Sequence, residues 1–590
     1  MKKILGTALL FALCLASCKT KETAEDTSAA INRMFNNYWE DRMKLSPLEA
    51  TNTGDNRYND TLPNDVSAHF IAAATSFYSR YSDSIKIFNR ETLNENDKIS
   101  YDIFKREMGI QLESFQFHDE LMPLNQFTGL HLTFGQLGSG EGNQPFKTVK
   151  DYNDFLGRIK GFANWTDTAI ANMRKGMNEG YVLPKSLTMK LIPQVKSFVT
   201  TDAWQNLLYG PVNRLPKEFP SAEVMRITAA YTAAINTEVV PSFKKLTDFL
   251  EKEYLPKSRN SSGIDSVTNG SVKYQFLIRQ WTTTSKTPEE IYQLGLSEVA
   301  RIKTEMEKIK TKVGFTGTLD SFFKYMNNEK KFMIYKTPEE VLAGFHAIQA
   351  KEEPHLKKLF CRFPKTKFEI RRTEAFREAS ASAEYNQGSA DGSRPGVFYT
   401  PIPDAAKFNY TAMETLFAHE AIPGHHYQTS LQQENELLPK FRRFNWYGAY
   451  GEGWALYTES LGEELGLYTD PYQKMGNLGD EMHRAIRLVV DVAIHTKGWS
   501  REKAIEYMMA NEQIEEHAAT AEIERYMAIP GQALSYKIGA LKIRELRNKY
   551  QQQLGDKFSI SAFHDEVLKD GCMPLDVLEK KMDVWAAKQK

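Results

Sequence analysis

Across most of its 590 residues this chain repeats apolar side chains at three- and four-residue spacing with charges between, and it rarely alternates them. That period commits the chain to helices that bury one face, and leaves little sequence with which to build a sheet. Residues 29–42, 288–313 and 480–495 show it most clearly. Thr287-Pro288-Glu289-Glu290 is a helix start, with a cap, a proline at the first helical position and an acidic first turn. Ser500-Arg501-Glu502-Lys503 resembles a capping box without its final acid and predicts another. The best strand is Gly396-Val397-Phe398-Tyr399-Thr400, after a turn-rich run in which Asp391 and Arg394 could pin the bend. The fold class expected is therefore mainly α with a short strand element. A Ser-, Asn- and Gly-rich loop at 257–271 predicts a division into halves 30–260 and 261–590, wound around one cleft.

Lys+Arg and Asp+Glu are equal at 75 each, so the chain has no net charge to attract nucleic acid. Lys2 and Lys3 precede an apolar run at 4–15 that is too short to span a bilayer. The run ends Leu15-Ala16-Ser17-Cys18, which resembles a bacterial lipoprotein processing box. It predicts a signal peptide at 1–18, lipidation of the Cys18 thiol, and a flexible polar tether at 19–29 that anchors the body to the envelope membrane. Only Cys361 and Cys572 then remain, and neither has the company of a C-x-x-C motif. Stability must come from the core of the 30–590 body and not from disulfides.

The chemistry concentrates in His419-Glu420-Ala421-Ile422-Pro423-Gly424-His425-His426, which holds three of the twelve histidines. It nearly spells H-E-x-x-H, in which two histidines one turn apart hold zinc and the glutamate is the general base. On an unbroken helix His425 would face away from His419, and His426 would lie roughly 10 Å along the axis. Pro423-Gly424 predicts a distortion. A bulge would bring His425 beside His419, whereas a break would favour His426. Glu452 follows His425 by 27 residues and is the best third ligand for a single Zn2+, with Glu459 on the same helical face to orient a ligand histidine.

With these motifs the chain resembles the bacterial family catalogued as domain of unknown function 885. The resemblance rests on residues 419–428, Glu452-Gly453-Trp454-Ala455-Leu456-Tyr457, residues 484–491, Glu524-Arg525-Tyr526, residues 530–537 and Gly571-Cys572-Met573-Pro574-Leu575. Upstream, residues 391–396 and Trp281-Thr282-Thr283-Thr284 fit as well. It implies a cleft-shaped helical fold similar to zinc peptidases of the angiotensin-converting-enzyme type, with the roles falling on His419, Glu420, His425 and Glu452. A histidine and a tyrosine contribute downstream in those peptidases, which makes Tyr526, Tyr536 and His495 candidate oxyanion donors here, in that order.

Arg525 and Lys537 flank the two tyrosines. Arg484 and Arg487 share a helical face with Asp491, so they form either an internal ionic network or a clamp for a substrate carboxylate. The strand with Phe398 and Tyr399 is placed to hold a substrate backbone by strand addition. The expectation is an envelope-anchored zinc peptidase acting on oligopeptides. The alternatives are a metal-dependent amidase on another small amide, and a ligand-binding lipoprotein with a vestigial or structural metal site.

Overall fold

Helix caps written in the sequence set the long elements of this computed structural model, which describes residues 24–374, 378, 381–389, 392 and 394–589. The Thr287 hydroxyl accepts from the Glu290 N–H, and the Glu290 carboxylate accepts from the Thr287 N–H, opening the 25-residue helix Pro288–Lys312. The Ser500 hydroxyl caps Arg501–Asn511 by accepting from the Lys503 N–H at 3.1 Å. The first described helix, Ala24–Leu45, begins earlier than its periodicity predicts, so residues 24–29 are helical and not tether. The acidic side chain of Asp26 suits a helix N-terminus, where the dipole is positive. The signal peptide, Cys18 and Asp391 lie outside the described residues. Among the described residues no helix is long and apolar enough to cross a membrane.

The architecture is mainly α, as the spacing predicts. Its apolar cores do not stop at residue 260. One joins side chains from Ile31 to Leu121 with others from Ile264 to Ala586, and a second gathers Leu62 to Tyr254. A third packs Pro288–Lys312 and Arg501–Asn511 against Pro471–Thr496.

The described strands form a single three-stranded sheet, β1 (Phe368–Arg372), β2 (Glu384–Asn386) and β3 (Gly396–Thr400), in the order β1-β3-β2. β3 pairs in parallel with β1 and antiparallel with β2. This corrects the expectation that β3 offers a free edge, because both of its hydrogen-bonding sides are taken. Phe398 is fully buried against Phe345, so it packs and is not available to a substrate, whereas Tyr399 reaches the central cavity. β2 is the edge strand whose residues line that cavity.

Candidate metal centre

Helix Met413–Glu420 carries His419 and Glu420 and stops there. Proline has no N–H to continue the ladder and its ring clashes with the preceding turn. The chain therefore leaves the helix at Ala421, passes through a cis Ile422–Pro423 peptide, and starts a new helix, His425–Glu434. Gly424 presses against the end of the first helix so closely that a Cβ would collide with the carbonyl oxygens of Ala418 and His419. From the neighbouring helix Gly448–Glu459, Trp454 Nε1 donates to the Pro423 carbonyl at 2.9 Å and Thr458 Oγ1 to that of Ala418 at 2.8 Å. The helix is thus broken and not bulged, yet His425 is the histidine brought round to His419. A break alone does not decide between the neighbours. The anchored path of the link does.

Gly448–Glu459 supplies the third group. It lies against Leu534–Leu554 at near backbone contact, since a Cβ on Gly539 would strike the Ala449 carbonyl and one on Gly453 would lie 2.6 Å from the Gly539 Cα. This fixes Glu452, the residue before Gly453, in the cavity wall. Its Oε2 stands 3.6 Å from His419 Nε2 and 3.4 Å from His425 Nε2, and one donor atom from each residue falls within 4.8 Å of the others. Behind them Glu459, 2% exposed, sits 2.7 Å from His419 Nδ1 and turns Nε2 toward the group.

These residues fit a cation. Tetrahedral donors about 2.0–2.1 Å from zinc lie roughly 3.3–3.4 Å apart, close to the separations seen here and longer than good hydrogen bonds. The charges agree. Burial works against a charged His419, but hydrogen bonds to Glu452 and Glu459 outweigh it and lift its pKa to about 10. Burial likewise works against a charged Glu452, and the facing His425 and His419 imidazoles hold its carboxyl well below the ordinary range. The group is built around a positive charge.

The three residues and Glu420 line one cavity of about 1620 Å³, which also reaches Tyr399, Trp446, Arg484, Arg487 and Tyr536. A second cavity of about 1060 Å³ adjoins it and shares Asn52, Asn143, Arg394 and Trp446.

Residues 47–582 match the family model described as bacterial protein of unknown function, DUF885. The chain belongs to that family. Two solved structures share the fold of this family member. A candidate lipoprotein from Colwellia psychrerythraea is 28% identical with a TM-score of 0.86, covering 95% of this chain and 100% of its own. A candidate lipoprotein of unknown function from Shewanella oneidensis is 20% identical with a TM-score of 0.73, covering 93% and 98%, a likeness of fold. No curated protein sequence matches the chain.

Other expected site residues fall elsewhere. His426 stands apart from the metal group: its Nδ1 lies 2.9 Å from the Tyr385 hydroxyl, its ring packs on Phe368, and burial pushes its pKa down to about 4. His495 is fully buried outside the cavity lining. Its Nδ1 accepts from the Ile264 N–H at 3.0 Å and its Nε2 donates to the Tyr526 carbonyl at 3.1 Å. The Tyr526 hydroxyl donates to Glu522 at 2.5 Å and accepts from Arg487 Nε at 3.0 Å, which spends it within the protein.

Arg525 is bound to Glu522 and Gln532, and buried Lys537 pairs with Glu298 and Glu481 beside a different cavity. These four do not reach the site because other groups of the protein, near and far in sequence, claim their polar atoms. Tyr536, Arg484 and Arg487 do reach it. The cavity also holds His483, Glu512 and Glu522, which sequence reasoning passed over. His483 was within reach of that reasoning, since it sits one turn before Arg487 on the same helical face.

Proposed function

We propose that this protein is an envelope-anchored, metal-dependent hydrolase of the zinc-peptidase kind, acting on oligopeptides. The observation that carries the reading is the convergence of His419, His425 and Glu452 in the wall of a large cavity, with Glu420 beside them. A similarity to the helical zinc peptidases would account for this arrangement, with the two histidines on two successive helices instead of one. A structural zinc site closes its fourth position with protein. Here the group comprises three donors among the described residues and opens on the cavity, which favours catalysis over a structural role.

A zinc ion held by these ligands supplies Lewis acidity toward a carbonyl oxygen and acidifies water. Glu420 then takes the proton from the attacking water and hands it to the leaving amine nitrogen. Tyr536 is the phenol that lines the cavity near Glu452, and it is the donor best placed for the developing oxyanion. Burial raises its pKa, with Glu452 pushing the same way, so it stays protonated and able to donate. β2 lies at the sheet edge in the cavity wall, the position from which strand addition holds an extended peptide. The processing box ending in Cys18, and the candidate lipoproteins that share the fold, support an anchored location.

Metal analysis of the purified chain tests the reading. One zinc per chain is expected, lost in His425→Ala, together with cleavage of a peptide library by the wild type. A wild-type protein that binds no stoichiometric metal after loading overturns it.

A further inference from the structure

The cavity has a second polar end, built from donors. Arg484 and Arg487 lie one turn apart on helix Pro471–Thr496, and both line the cavity. Arg487 is 7% exposed, and two of its three nitrogens are held. Nε donates to the Tyr526 hydroxyl at 3.0 Å, and Nη2 donates to His483 Nε2 at 3.1 Å and Glu522 at 3.2 Å. Its third nitrogen, Nη1, is buried with no partner. Arg484 Nη1 donates to the Asp480 carbonyl and carboxylate at 3.1 and 3.0 Å, and its Nε is likewise buried and unpartnered.

The acids nearby are already engaged. Glu522 receives Tyr526, Arg487 and Arg525, and Glu512 receives His483 at 2.9 Å. What stays unpartnered behind this wall is therefore buried guanidinium N–H, a group that asks for a charged acceptor. The Tyr536 ring lies 4.6 Å from the Arg487 guanidinium carbon, so the same tyrosine that stands near Glu452 also flanks the arginine.

We propose that Arg487, assisted by Arg484, binds the C-terminal carboxylate of a peptide substrate, so that cleavage falls near that free end. This rests on the hydrolase reading above and narrows it. A guanidinium matches a carboxylate in plane and charge, and a buried one with an unpaired N–H rewards an acid far more than a neutral amide. A substrate chain that ran on past this point would place a peptide carbonyl, not an anion, against the arginine. Such a chain would gain little from it.

The test compares Ala-Phe-Ala as the free acid, its C-terminal amide, and the amide of Ala-Glu-Ala, whose only carboxylate is on a side chain. Turnover is read on the wild type, and binding on Glu420→Gln by calorimetry. The acid is expected to be preferred over both amides by at least about tenfold in Kd, the scale of one charge-assisted hydrogen bond. Arg487→Gln should remove that preference, bringing the acid to the affinity of its own amide. Arg484→Gln, which keeps Arg487 and its partners in place, should weaken it partially and keeps the test alive if Arg487→Gln does not fold. Equal binding of acid and amide overturns the proposal, as does binding of none of the three. Tight binding of the Ala-Glu-Ala amide overturns its C-terminal assignment. A clear preference for the acid without turnover of any peptide removes the peptidase reading while the carboxylate subsite stands.

Discussion

Two sets of buried histidines in this chain are solvated by the protein in opposite ways. His495 and His564 have both ring nitrogens matched to neutral groups: His495 to the Ile264 N–H and the Tyr526 carbonyl, His564 to the Leu359 carbonyl and the Tyr457 hydroxyl. Each has one donor and one acceptor to answer, and burial drives each pKa down to about 3, because nothing nearby rewards a positive charge. His419 and His425 instead meet carboxylate at Glu452, with Glu459 behind, and His425 Nδ1 has no partner. The difference separates a histidine that completes a core from one that faces anionic oxygen in a cavity wall. Burial is common to both and does not discriminate. The charge of the facing atoms does.

The largest effect that tests this contrast is at Glu420, which belongs to the second set by position but holds no ligand role. Glu420→Gln should retain the metal content of the wild type and lose about 10²–10⁴ in kcat, the usual worth of a general base. Loss of metal with the activity would move Glu420 into the ligand group. A smaller effect is expected at Glu459. Removing its charge with Gln leaves the His419 hydrogen bond possible but weakens its pull, and should cost about 10–100-fold in metal affinity, read by chelator competition. An unchanged affinity would make Glu459 a core acid with no bearing on the centre.

How much of this was legible depends on how local each decision is. The starts of helices Pro288–Lys312 and Arg501–Asn511 were readable because a cap and its partner sit three residues apart. That His419, His425 and Glu452 come together was readable because residue type and rough spacing limit the candidates. His425 was favoured over His426 on the premise of a bulge, but the fold brings it to His419 by a break held by Trp454 at Pro423 and Thr458 at Ala418, from 31 and 40 residues downstream. The central place of β3 was hidden for a similar reason, since β1 and β2 are short segments whose pairing is set by the fold around them. His495 shows the limit best. The Ile264 N–H that fills its Nδ1 lies 231 residues away, and no window of sequence contains that pair.

The core histidines make a prediction about acid stability that the metal group does not share. A folded pKa near 3 lies below the unfolded value of about 6.5, so the unfolded chain takes up protons first as pH falls. The stability these residues contribute is whole above about pH 6.5 and is lost progressively toward pH 3. By pH 5 the loss amounts to about 2 kcal/mol for each. Denaturant unfolding at pH 7 and pH 5 should show this slope, and His495→Gln should flatten it while lowering stability at pH 7 by about 1–3 kcal/mol for the disturbed hydrogen bonds. A slope unchanged in the variant would place the acid sensitivity elsewhere.

The smallest effect is expected at His426, which separates adjacency in sequence from membership in the site. Its Nδ1 is near the Tyr385 and Ser430 hydroxyls, at 2.9 and 3.4 Å, and it supports the cavity edge through β2 and not through a metal. His426→Asn should leave zinc stoichiometry at the wild-type value and cost about 1 kcal/mol of stability for the altered hydrogen bonding. If the zinc is lost instead, His426 takes part in ligation by a route that the anchored link forbids, and the histidine contrast would have to be redrawn around the sheet.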